Sequence, residues 1–155
     1  MRLSDIVVAD AIIPELAAGT RNEAIAEIVE ALASAGAIAR KSVAQVTKTV
    51  LAREGQATTG IGKGVALPHA KLKGIKKPIA AIGRSSKGID FSALDSKLVY
   101  SVILLLSSPN GPDEHLRAME TIFKHVQQDM FRKLLCQSRT RQAIMDLIKE
   151  ADELG

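Results

Sequence analysis

Thr58-Thr59-Gly60-Ile61-Gly62-Lys63-Gly64-Val65-Ala66-Leu67-Pro68-His69-Ala70 is the stretch on which the reading of this chain turns. Three alternating glycines give way to an apolar triplet, a proline and a histidine. The glycines first suggest a phosphate cradle. A Walker loop needs Ser or Thr directly after its Gly-Lys pair and a helix beyond it, but Gly62-Lys63 is followed by Gly64 and by no helical pattern. A dinucleotide fingerprint would put its third glycine at position 65, which is Val, and would open a helix where an extended segment begins. Both readings fail. What remains is a pliant loop that can approach an anion or another chain closely, feeding a short strand from Val65 to Leu67. Pro68 closes that strand, because the residue before a proline is pushed toward extended geometry. His69 then stands at a strand end, either as a satisfied structural histidine or as a nucleophile.

Working outward, Thr20-Arg21-Asn22-Glu23 has the spacing of a capping box, and Ala24, Ile25, Ile28, Val29 and Leu32 follow at helical spacing until Gly36. A second helix begins near Ser42, carries Val43, Val46, Val50 and Leu51 on one face, and ends at Arg53-Glu54-Gly55. Ile79 to Gly83 and Leu98 to Leu106 read as further strands, the second so continuously apolar that both its faces must be covered. Asn110-Gly111-Pro112 opens a third long helix with His115 in its first turn and Leu116, Met119, Phe123 and Val126 along one side. A short helix from Asp129 to Leu135 and a last one through Ala143, Ile144, Leu147, Ile148 and Ala151 complete the chain. No repeat, linker or domain boundary is visible, so residues 1–155 are expected to form one α/β domain.

Composition narrows the function. The chain is 46% hydrophobic and 25% charged, and its 21 basic against 17 acidic residues leave a net charge of only +4. With three Phe, one Tyr and no Trp there is little to stack on bases, and no long basic run appears, which demotes nucleic acid as a partner. The first residues lack the apolar region of a secretory signal, and the longest apolar run is about half a membrane span. A cytoplasmic protein without membrane insertion is expected. The single Cys136 has no second thiol and reads as a buried small hydrophobe. His69, His115 and His125 lack the paired spacing of helical zinc motifs, so neither a metal nor a cofactor is called for.

A neutral imidazole near pH 7 can hold a phosphoryl group covalently and release it to a second acceptor. It then needs a fixed tautomer, positive or hydrogen-bonding groups for the dianion, and access for a partner protein. Glu54, followed after six residues by Ile61-Gly62 and after two more by Val65-Ala66-Leu67-Pro68-His69-Ala70, resembles the enzyme IIA signature of the phosphoenolpyruvate-dependent sugar phosphotransferase system, fructose/mannitol class, which includes a nitrogen-regulatory branch. The resemblance extends to Glu114-His115-Leu116 and to nearly the whole chain. It implies a single-domain α/β fold with a mixed, mainly parallel sheet flanked by helices on both sides. It implies that His69 accepts phosphate from an HPr-like phosphocarrier protein and passes it to a cysteine of an enzyme IIB, or that its phosphorylation state serves regulation.

Arg53 and His115 match residues that the family places beside its phosphohistidine. Taken alone, Arg53 could merely complement a helix dipole and His115 could be an exposed first-turn residue. A helix N-terminus disfavours imidazolium, which would help keep His115 neutral. His125 has no matching motif and is assigned a packing or solvent-facing role. Lys63, Lys71, Lys73, Lys76 and Lys77 form either a solvated face or a docking surface. Ile61, Val65 and Leu67 are either core or an exposed apolar rim, with Gly60, Gly62 and Gly64 clearing space for a partner. Two other functions compete: an interaction module with the same fold and no covalent chemistry, and a small-molecule-binding α/β domain, against which both failed nucleotide motifs count.

Overall fold

The apolar run at Leu98 to Leu106 becomes the central strand of the molecule. In the computed structural model, which describes residues 1–154, this strand is β5 (Val99–Ser107). Its side chains alternate between two cores. Val102, Leu104 and Leu106 join the core beneath α2 (Arg21–Ser34) and α3 (Val43–Gln56). Ile103 and Leu105 face the core formed with α4 (Pro112–Val126), α5 (Asp129–Gln137) and α6 (Arg141–Leu154). A strand covered on both faces favours apolar residues at successive positions, and this explains the run from Val102 to Leu106.

On one side β5 pairs antiparallel with β4 (Ile79–Ile89), from Ile79 opposite Leu106 to Arg84 opposite Ser101. On the other it pairs in parallel with β2 (Val65–Ala66) and β3 (His69–Lys71). These two short strands share one register, Val65 opposite Ser101 and His69 opposite Leu105, so they are one strand interrupted at Leu67-Pro68. The strand expected to end at Pro68 therefore resumes, and His69 opens its second half. β1 (Gly60–Gly62) pairs antiparallel with β2 alone. The sheet is mixed and flanked by helices on both faces as expected, but parallel pairs do not predominate. β4 and β5 make the longest ladder, and it is antiparallel.

The other edge of β4 is closed by the first residues of the chain. Val8 N donates to Ala80 O at 2.9 Å and Ile13 N to Ile82 O at 2.9 Å, while α1 (Leu3–Ile6) joins the α4 to α6 core. Asp152 of α6 accepts from Leu3 N and Ser4 N at 2.7 and 3.0 Å, capping α1 from a distant helix. Two features escaped the periodicity. β4 runs six residues past Gly83 through the polar Arg84 to Lys87, and β1 lies inside what read as an irregular glycine loop.

Local rules hold at the helix ends. Thr20 Oγ1 accepts from Glu23 N and donates to the Glu23 carboxylate. Gly36, at φ +77°, lets Ala37 N reach Leu32 O at 2.9 Å in a Schellman stop. Cys136 corrects an expectation, because it is exposed. α5 buries Phe131 and Leu135, and the next residue is turned about 100° away from that stripe. His125 is buried against Phe131, with ring centroids 5.6 Å apart.

The glycines serve the hairpin between β1 and β2. Gly62, Lys63 and Gly64 all have positive φ, and Lys63 N donates to Asp95 Oδ2 at 2.8 Å. At Gly60 an added Cβ would stand 2.8 Å from Ala93 Cβ and 3.0 Å from Ala93 Cα. Gly60→Ala should therefore lose about 1–3 kcal/mol of stability by overpacking. Gly55→Ala, in the last turn of α3 with nothing within 4 Å of its Cβ, should be neutral or gain up to about 1 kcal/mol. Urea midpoints at constant m-value check both; equal stabilities would contradict the close approach at Gly60.

Candidate functional site

Backbone alternation places His69. Gly64 O and Pro68 O accept from Ser101 N and Leu105 N of β5, so the backbone groups of the intervening odd-numbered residues face the outer edge. Leu67 N spends its donor on Thr59 O at 3.0 Å, beside the start of β1. The Leu67 carbonyl instead meets His69 Nδ1 at 2.8 Å. A carbonyl only accepts, so Nδ1 carries the proton, and in the neutral ring Nε2 is left with a free lone pair. His69 is half-buried, on a strand whose outer edge carries no further strand among the described residues.

Three elements bring partners to this edge. His69, Ala70 and Lys71 of β3, Thr49, Ala52, Arg53 and Gln56 of α3, and His115 of α4 line one open cleft of about 440 Å³. The His69 and His115 ring centroids are 5.7 Å apart, with planes inclined by 50°. His115 Nδ1 lies 2.7 Å from Ser107 Oγ, at the end of β5. Burial first, then the charges of His69 and Lys71, hold the His115 imidazolium pKa below its ordinary value, so the ring is neutral at pH 7. Arg53 Nη1 donates to Ala57 O at 3.0 Å, just past its own helix. The cap and the cleft position thus coexist, since one guanidinium nitrogen is engaged while the side chain still lines the cleft with His69.

Glu54 explains why Arg53 is held there. It is 2% exposed, and its carboxylate accepts from Thr59 N at 2.7 Å and from Thr59 Oγ1 at 2.5 Å. Thr59 O in turn accepts from Leu67 N, and Leu67 O from His69. A continuous chain of hydrogen bonds therefore runs from the last turn of α3 to the imidazole. The Glu54 signal was present in the sequence, because Val46, Val50 and Glu54 fall four residues apart on the buried stripe. Ser107 and Gln56 had no such signal.

The three residues singled out from the sequence, His69, His115 and Arg53, thus share one cleft. His125 lies away from it. Of the two alternatives for Ile61, Val65 and Leu67, the core holds: Val65 and Leu67 are each 2% exposed, and Ile61 is partly buried against their cluster. Gly60 and Gly62 are also buried, so they admit the chain's own segment at Ala93 and Asp95 and not a partner. Leu116, beside His115, is the exposed apolar side chain here, at 57%. Lys63, Lys71, Lys73, Lys76 and Lys77 are all exposed, and the chain holds no Asp or Glu from Gly55 to Ile89.

No helix among the described residues is long and apolar enough to cross a membrane. Residues 5–151 match the family described as phosphoenolpyruvate-dependent sugar phosphotransferase system, EIIA 2. The chain is 31% identical over 134 residues to the fructose-specific EIIA component of the phosphotransferase system from Haloferax volcanii, covering 86% of each. It is 32% identical over 148 residues to a nitrogen regulatory protein of Bradyrhizobium diazoefficiens, covering 96% of this chain and 95% of the relative. The crystal structure of the nitrogen regulatory protein IIA-Ntr from Neisseria meningitidis superposes with a TM-score of 0.83 at 26% identity, over 94% of this chain and 98% of that one. Signature, fold and full-length similarity agree, and the chain belongs to the type 2 enzyme IIA family of the phosphoenolpyruvate-dependent sugar phosphotransferase system.

Proposed function

We propose that His69 Nε2 is the phosphoryl acceptor of this enzyme IIA. The observation that carries this reading is the 2.8 Å bond from His69 Nδ1 to Leu67 O, which leaves Nε2 unprotonated on a ring lining the open cleft. In the step, the Nε2 lone pair forms a bond to phosphorus as the bond to the donor nitrogen of an HPr-like phosphocarrier breaks. The phosphoryl group then leaves His69 for a cysteine thiolate of an enzyme IIB, or stays and serves as a regulatory mark. No cofactor enters either step. The Leu67 carbonyl holds the ring and stabilises the proton on Nδ1 as charge develops.

His115, neutral and 5.7 Å from His69 between centroids, is assigned as a hydrogen-bond donor to the phosphoryl oxygens. Arg53 supplies the fixed positive charge, with guanidinium donors beyond the one engaged by Ala57 O. Lys71 adds charge at the rim, and Leu116 an apolar contact for the docked partner. A regulatory role is supported by the match to the Bradyrhizobium protein, which spans 96% of this chain, and by the 0.83 TM-score to IIA-Ntr.

The central test is incubation with phosphoenolpyruvate and the upstream carriers. The protein should gain one acid-labile phosphoryl mass, lost in His69→Ala. Stoichiometric labelling of that variant would move the nucleophile elsewhere, and no labelling of the wild type would favour the interaction module. Arg53→Ala should slow transfer by about tenfold to a hundredfold, the value of one charge-assisted contact, with partial recovery in Arg53→Lys. A wild-type rate would remove Arg53 from the chemistry. By NMR titration, the His115 midpoint should lie below that of an exposed imidazole and rise in His69→Ala, which removes a like charge that lowers it. An unchanged midpoint would mean that the rings do not interact.

A further inference from the structure

Ser107 is fully buried and its hydroxyl meets His115, one of the residues lining the cleft, and nothing in the signature includes it. Ser107 is the last residue of β5, 0% exposed, and opposite Lys71 of β3. By strand alternation it shares a face with Leu105, which is opposite His69. The serine thus stands one step along the same face from the proposed nucleophile, beneath the first turn of α4.

A serine hydroxyl carries one proton and two acceptor lone pairs. Among the described residues, the one hydrogen-bond partner of Ser107 Oγ is His115 Nδ1, at 2.7 Å. If Nδ1 carried the imidazole proton, Oγ would accept it and the serine proton would be stranded in the interior. Buried donors without acceptors are rare because water cannot replace the missing bond. The arrangement that satisfies both groups has the hydroxyl donating to Nδ1. In a neutral ring the remaining proton then sits on Nε2.

The geometry points to Ser107 as a positioning residue that fixes His115 in its Nε2–H tautomer, so that this histidine offers the cleft a donor and not a second lone pair. The inference rests on the reading of His69 as the phosphoryl acceptor. It gives the histidine pair a division of labour. The Leu67 carbonyl accepts from His69 Nδ1–H, which keeps the proton there and frees Nε2 to attack, while the Ser107 hydroxyl donates to His115 Nδ1 and leaves the ring proton on Nε2. Two like imidazoles take opposite roles because one rests on an acceptor and the other on a donor. Burial reinforces the assignment, since the lowered His115 pKa keeps the ring from becoming an imidazolium that would need both nitrogens protonated.

The test uses the full chain labelled with ¹⁵N at histidine, at a pH where all rings are neutral. Long-range proton–nitrogen spectra should show His115 Nδ1 unprotonated and Nε2 protonated. In Ser107→Ala the two nitrogen shifts should converge as the tautomers mix. Phosphoryl transfer should slow by about twofold to tenfold, the worth of one neutral hydrogen bond. Ser107→Thr, which keeps the hydroxyl, should restore both the tautomer and the rate. A protonated Nδ1 in the wild type overturns the inference, as does an unchanged tautomer in Ser107→Ala. If the wild type shows the expected tautomer but His69 takes no phosphoryl group, the acceptor assignment fails while the serine's control of the ring stands. If labelling proceeds and the tautomer is wrong, the inference alone fails.

Discussion

The interruption of one strand at Leu67-Pro68 is the constraint on which this site depends. Proline contributes no N–H to a ladder, yet Pro68 O still accepts from Leu105 N, so the register with β5 survives the break. Because register is kept, backbone direction still alternates, and the Leu67 carbonyl emerges on the outer edge within reach of His69. Had the chain left the sheet at the proline, the imidazole would have lost the acceptor that selects its tautomer. The strand break therefore belongs to the chemistry as much as to the architecture.

The same edge is where the layers on both faces of the sheet can meet. α3 lies on one face and α4 on the other, and side chains from opposite layers normally stay separated by the sheet. At β3 no further strand intervenes, so Arg53 from one layer and His115 from the other reach the same cleft. The buried Glu54 fixes one approach through Thr59, and Ser107 meets the other through His115. A buried carboxylate with two donors is stable because its desolvation is offset by charge-assisted hydrogen bonds. Each histidine meets its own backbone or hydroxyl partner.

The glycines show how a correct motif can carry a mistaken mechanical reading. Their alternation suggested a surface cleared for a partner. In the fold they form a tight hairpin with three successive positive φ values and a close approach to Ala93, both internal to the chain. The exposed apolar side chain next to His115 in sequence is Leu116, on α4, and the lysines that follow His69 in the sequence are exposed.

Much of this was legible in the residues. Helical spacing, the Thr20 cap and the Gly36 stop are local properties, and the apolar run of β5 from Val102 to Leu106 announces a strand covered on both faces. The signature around His69, with Arg53 and His115, was also present in the residue order. Other features lie beyond one-dimensional pattern. β4 continues past Gly83 because β5 lies beside it, pairing Arg84 with Ser101 and Ile89 with Val99 around an irregular polar segment, and Cys136 faces solvent because Phe131 and Leu135 take the buried stripe. Only the tertiary structure decided which atom sits beside each imidazole nitrogen. Leu67 O and Ser107 Oγ become partners of the two rings through strand register and helix docking, which are set by contacts between residues distant in sequence. Tautomer is a property of a single hydrogen bond, and no residue pattern specifies which end of that bond holds the proton.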